Sequence, residues 1–139
     1  MINRLNGGIS IGEVNFVINC RLTKDDFINS ALFNYATLQE LNSYTHCCLK
    51  PQYIGKIKFQ VNLIFDPNGK ILNVFLGVYE ADNHWENWSE DNELKRKELH
   101  DKWLEENLGI PPYAYDWGTV SSTYDSRAGS SSITFTYKT

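Results

Sequence analysis

Ile57-Lys-Phe-Gln-Val-Asn-Leu-Ile-Phe65, Asp66-Pro-Asn-Gly-Lys70, Ile71-Leu-Asn-Val-Phe-Leu-Gly-Val-Tyr79 is the stretch whose reading decides the fold. Apolar residues at 57, 59, 61, 63 and 65 alternate with Lys58, Gln60 and Asn62, the period of a strand with one buried face. Asp66-Pro67-Asn68-Gly69 follows, where proline presets φ and Asn-Gly supplies positive φ. The next nine residues are nearly all apolar, so the stretch predicts a β-hairpin. Its second strand is apolar on both faces and is expected at the centre of a sheet, covered on both sides.

Downstream, Ser89 precedes Glu90 and Asp91, and Gly109 precedes Ile110-Pro111-Pro112, which predicts a helix over about 89–108 with a hydroxyl cap and a glycine stop. With Leu94 as the origin, Leu99, Trp103, Leu104 and Leu108 lie between about 140° and about 320° around the helix. Arg96, His100 and Glu93, at about 200°, 240° and 260°, fall inside that apolar arc. Two more strands, roughly Trp117–Tyr124 and Ser130–Tyr137, close the chain around a turn at 125–129.

Upstream, Val14, Phe16, Ile18, Cys20 and Leu22 alternate as a strand, with Ile9 and Ile11 either a strand of their own or the same one broken at Gly12. Thr23 with Asp25 and Asp26 predicts a short helix near 24–30. Residues 31–53 stay mixed: Leu38 and Leu41 suit a helix, while Tyr44–Leu49 suits an edge strand. The expected fold is therefore one α+β domain over 1–139. In it an antiparallel sheet of five to six strands packs the long helix on one face.

A chain of 139 residues is long enough to bury one core without a metal or disulfide staple. Hydrophobic residues make up 42% and charged residues 22%, ordinary globular values, while aromatics at 14% are high and point to large rings in the core or at a contact surface. Neither a signal-type leader nor an apolar run long enough for a membrane span is present, so a cytoplasmic, membrane-free protein is expected. Cys20, Cys47 and Cys48, odd in number and without a CxxC pair, are expected as free thiols, and no Cys/His pairing has zinc-finger spacing.

Net charge is −4, unevenly spread: Glu80–Glu106 holds ten acids against four bases, and the remainder is net positive. An acidic field of this kind repels phosphate backbones and attracts basic proteins, so nucleic acid is not expected as a partner. Trp85 and Trp88 sit in this stretch where no periodicity requires them. With Asp82, His84, Glu86, Glu90 and Asp91 they form a candidate partner-binding segment: aromatic anchors inside a polar rim. A packing staple onto the helix is the bland alternative.

Glu93, Arg96 and His100, spaced to meet on one helical face, are either a buried polar network or an acid–base trio in a pocket between helix and sheet. His84, His100 and Asp101 lack metal-site spacing, and neither Ser121-Ser122 nor Gly7-Gly8 has a nucleophile or phosphate-loop context, so no metal, cofactor or catalytic residue is assigned.

These residues carry a resemblance. Trp85-x-x-Trp88-Ser89, Arg96-Lys97-x-x-His100-Asp101-x-Trp103-Leu104, Gly109-x-Pro111-Pro112-Tyr113 and Trp117-Gly118-x-Val120-Ser121-Ser122-x-Tyr124-Asp125 resemble a pattern shared by small bacterial proteins of uncertain role. The match runs from about Phe59 to Tyr137, and no activity travels with it. In size, acidity and mixed build the chain is also similar to immunity proteins of polymorphic-toxin systems. That resemblance implies a non-enzymatic inhibitor, monomeric or homodimeric, with a cognate toxin domain as partner. A small enzyme or ligand-binding domain using the Glu93 trio is the alternative.

Overall fold

The computed structural model describes residues 2–12, 15–80 and 89–138. The elements run β1 (Ile2–Asn3), β2 (Gly8–Ile11), β3 (Phe16–Ile18), α1 (Lys24–Ile28), a 3-10 turn (Ala31–Tyr35), β4 (Ala36–Leu41), β5 (Tyr44–Ile54), β6 (Ile57–Phe65), β7 (Ile71–Val78), α2 (Glu90–Leu108), β8 (Tyr113–Tyr115), β9 (Gly118–Asp125) and β10 (Ser130–Tyr137). Strands β1-β2-β3 form a small sheet and the other seven an antiparallel sheet in the order β4-β5-β6-β7-β10-β9-β8.

The expectation of an α+β domain with five to six strands is overturned. Among the described residues the chain is mostly β, with about half of them in strands, and the main sheet has seven strands beside a separate three-stranded sheet. Three causes account for the difference. The N-terminal strands, two of which, Gly8–Ile11 and Phe16–Ile18, fall where alternation predicts strand, are only two to four residues long and form a sheet of their own. The turn joining β4 to β5 is Asn42-Ser43, both at positive φ (52° and 72°) without a glycine to announce it. Pro51, a residue type that ordinarily interrupts a strand, sits where the β5–β6 register shifts between Leu49 and Gln52, a bulge that accommodates proline inside β5.

The Ile57–Phe65/Ile71–Val78 hairpin forms around Asp66, whose carboxylate accepts from the backbone N–H groups of Asn68 and Lys70 at 2.9 Å each. β7 is the middle strand of the seven, and the described residues cover one of its faces. Val74 and Leu76 are buried, while Phe75 on the other face is half-buried. That second face is polar along the sheet, with His46, Gln60, Asn62, Asn73, Ser132 and Thr134.

On the covered face lies α2. Its Ser89 Oγ accepts from Asn92 N–H at 3.1 Å, and it ends at Gly109, φ 82°. Trp103, Leu104 and Leu108 are buried, with the Trp103 ring 4.9 Å from Phe59. α1, capped by Thr23 Oγ1, completes the core at the other end with Phe27 against Phe65 and Phe33.

The small sheet is tied on through Trp117, whose Nε1 donates to the Arg4 carbonyl at 2.7 Å, and Tyr137, whose hydroxyl donates to the Gly7 carbonyl at 3.0 Å. Gly7 holds φ 68° directly on the Trp117 indole, so an added Cβ would lie 2.6 Å from Cε3. Gly7→Ala combines a left-handed backbone with a clash against a fully packed ring. It is expected to lower stability by about 2–4 kcal/mol in chemical denaturation; a loss under half a kilocalorie would show the small sheet to be loosely attached.

Candidate functional site

Helix periodicity alone places Glu93, Arg96 and His100 on the face of α2 that meets the sheet, and all three are buried, at 3%, 8% and 0% exposure. What they meet explains why polar groups stand in an apolar arc. β7 and β10 pair from Asn73↔Thr136 to Leu76↔Ile133, and then separate. Continued by two residues, that register would set Val78 opposite Ser131. Instead, Val78 N–H donates to His100 Nε2 at 3.0 Å and Ser131 N–H donates to Glu93 Oε1 at 3.0 Å. The Ser131 hydroxyl donates to the Glu93 carbonyl at 2.6 Å. Two helix side chains thus complete a sheet ladder where the strands part, satisfying donors that would otherwise be buried unpaired.

Arg96 sits between carboxylates, its Nη2 3.3 Å from Glu80 Oε2 and its Nε 3.7 Å from Glu93 Oε2. Because Nε2 of His100 accepts, its proton resides on Nδ1, which is buried and has no hydrogen-bond partner among the described residues. Burial above all, reinforced by the Arg96 cation, depresses the imidazole to about 4, so it is neutral at ordinary pH. The partners of the trio outside α2 are strand N–H groups, the Ser131 hydroxyl and Glu80. Ser131, Val78 and Glu80 were missed because nothing local marks a strand N–H as lacking a strand partner.

This geometry weighs against acid–base work. A groove of about 330 Å³ opens at the split between β7 and β10, lined by Arg96, Glu80, Gly77, Ser132, Gln60 and Asn62, but neither Glu93 nor His100 reaches it. Cys47, the buried thiol, is pushed up to about 12 by burial, well away from nucleophile chemistry. All three cysteines are free. Among the described residues, no three His, Cys, Asp or Glu side chains gather as metal ligands, and no helix is long and apolar enough to cross a membrane.

Of the expected partner-binding residues, Asp82, His84, Trp85, Glu86 and Trp88 lie outside the described residues. Glu90 is exposed in the first turn of α2 and accepts from the Tyr124 hydroxyl at 3.3 Å; Asp91 is exposed beside it. The outward face of α2 continues with exposed Glu98, Glu105 and Glu106 against Lys95 and Lys102. Leu94 and Leu99 stand exposed among them, at 40% and 48%. Along its flank runs a groove of about 420 Å³ between α2 and β8–β9, lined by Asp101, Glu105, Pro111, Pro112 and Tyr113 among others. Asp101 there is held by Lys97 at 2.9 Å. The face therefore combines negative charge, exposed leucines and a side-chain-sized depression. No family model, curated protein or solved structure matches this chain.

Proposed function

We propose that this protein is a binding inhibitor of the immunity type, neutralising a cognate basic toxin domain by direct contact. The single observation that carries the reading is the outward face of α2, where five exposed carboxylates against two lysines surround Leu94 and Leu99. Carboxylates steer a basic partner and set its orientation, while apolar groups within the charged rim supply affinity once water is excluded. Trp85 and Trp88 precede this face directly in the chain and serve as its anchors. A nuclease toxin suits the charge, since its substrate-binding surface is basic and an acidic inhibitor competes for it.

The chain itself performs no chemistry in this reading. Its trio is spent on the β7–β10 split: the imidazole is fully enclosed, and the carboxylate is bonded to Ser131. The test is binding to a panel of basic nuclease domains by calorimetry. Trp85→Ala with Trp88→Ala is expected to weaken binding by a hundredfold or more, about 3 kcal/mol. Glu98→Lys with Glu105→Lys is expected to slow association and flatten its salt dependence. No association with any domain, or association indifferent to both pairs of substitutions, would reject the proposal.

A further inference from the structure

We infer that β4 is a dimerisation edge, pairing antiparallel with β4 of a second copy about a two-fold axis through Leu38. The two edges of the main sheet differ in kind. β8 is three residues long and follows Pro111-Pro112, so it offers little to a neighbouring strand. β4 is a six-residue edge strand with no proline, glycine or lysine, and the carboxylate of its one charged residue, Glu40, pairs with Lys24 at 3.0 Å. These are not the features by which proteins ordinarily keep an edge from pairing. Tyr35, Leu38, Leu41 and Tyr44, four of the eleven large exposed hydrophobics among the described residues, lie within this hairpin or next to it.

The hairpin turn settles which backbone groups face outward. A two-residue turn at Asn42-Ser43 closes on Leu41↔Tyr44 as a hydrogen-bonded pair, so Thr37, Gln39 and Leu41 bond to β5. Leu38 and Glu40 then turn their N–H and C=O groups to solvent, joined by the Ala36 carbonyl, since the Ala36 N–H donates to Phe33 O.

A two-fold antiparallel pairing sets such outward residues opposite one another; a centre on Thr37 keeps only about two backbone hydrogen bonds and one on Ala36 none, because the Ala36 N–H is already engaged, which leaves three centres. Centred on Glu40, it opposes two carboxylates; centred on Gln39, it sets Leu38 against Glu40 of the partner subunit. Centred on Leu38, it sets leucine against leucine and Ala36 against Glu40 of the partner subunit, with about four backbone hydrogen bonds across the axis. Only this register covers the exposed apolar side chain without opposing like charges. The occupant is thus a second copy of this chain, whose edge complements itself.

Sedimentation equilibrium of the full chain, from dilute to near-millimolar concentration, tests this. The expected result is a monomer–dimer equilibrium that Leu38→Lys and Leu38→Glu each weaken by at least about tenfold, because each sets like charges together on the axis. An equimolar mixture of the two variants is expected to restore the dimer, since a lysine then meets a glutamate. Leu38 is 40% exposed, so both variants should keep the wild-type circular dichroism and unfolding midpoint at dilutions where all are monomeric. A wild-type chain monomeric at every concentration would overturn the inference without any variant. So would a dimer that neither substitution weakens, or two weakened variants that fail to complement on mixing.

Discussion

Replacing Glu93 with alanine is expected to destabilise the fold by about 3–5 kcal/mol, read as a fall in the urea midpoint at constant m-value. The carboxylate holds Ser131 N–H at 3.0 Å and lies 3.7 Å from Arg96, and both neighbours are buried. Alanine removes the acceptor without removing the donor, so Ser131 N–H is left unpaired, and Arg96 loses a counter-charge it shares only in part with Glu80. Glu93→Gln keeps an acceptor for Ser131 and gives up only the charge; its expected loss is smaller, about 1–2 kcal/mol. If alanine and glutamine proved equal, the ladder role assigned to the carboxylate would be wrong and its charge alone would matter.

Acid is expected to loosen the fold through His100. Its imidazole is held near 4, below its ordinary value of 6.5, by burial first and then by the Arg96 cation, against a smaller opposing effect of Asp101, with Lys97 adding least. The unfolded chain therefore takes up the proton first. The contribution of the neutral ring is whole above about pH 6.5, is lost progressively as pH falls towards 4, and is flat below; over that window it amounts to about 3 kcal/mol.

Geometry agrees with the sign, since a proton on Nε2 would face the Val78 N–H it now accepts from. His100→Gln offers a carbonyl in place of that nitrogen and does not titrate between these limits. Stability curves of wild type and His100→Gln from pH 8 to 4 should converge or cross as pH falls. Parallel curves would mean that the ring charges as freely in the folded chain as in the unfolded one.

Local rules sufficed wherever a segment was long enough to display its period or carried its own stop signals. The β6–β7 hairpin, the Ser89-capped helix ending at Gly109, and the closing β9–β10 pair were legible for that reason. So was the placement of Glu93, Arg96 and His100 on the sheet-facing side of α2, a matter of 100° steps. Of the strands of two to four residues, Gly8–Ile11 and Phe16–Ile18 showed their alternation, while Ile2–Asn3 and Tyr113–Tyr115 were too short to show any. Not legible either was the β4–β5 hairpin, where Leu38 and Leu41 stand three apart as on a helix and the positive-φ turn uses Asn42 and Ser43.

What the trio does was decided only by tertiary structure. Whether a carboxylate and an imidazole inside an apolar arc face a cavity or a strand depends on where two strands distant in sequence stop pairing. Val78 and Ser131 are 53 residues apart in the chain, and no local pattern records that their N–H groups lack strand acceptors. The acidity of α2 belonged to the sequence from the start, because charge is a property of composition. That Leu99 stands exposed beside Leu94 among the outward carboxylates, and that Glu93 on the inner face is spent on Ser131, was settled by the packing of the helix against the split sheet.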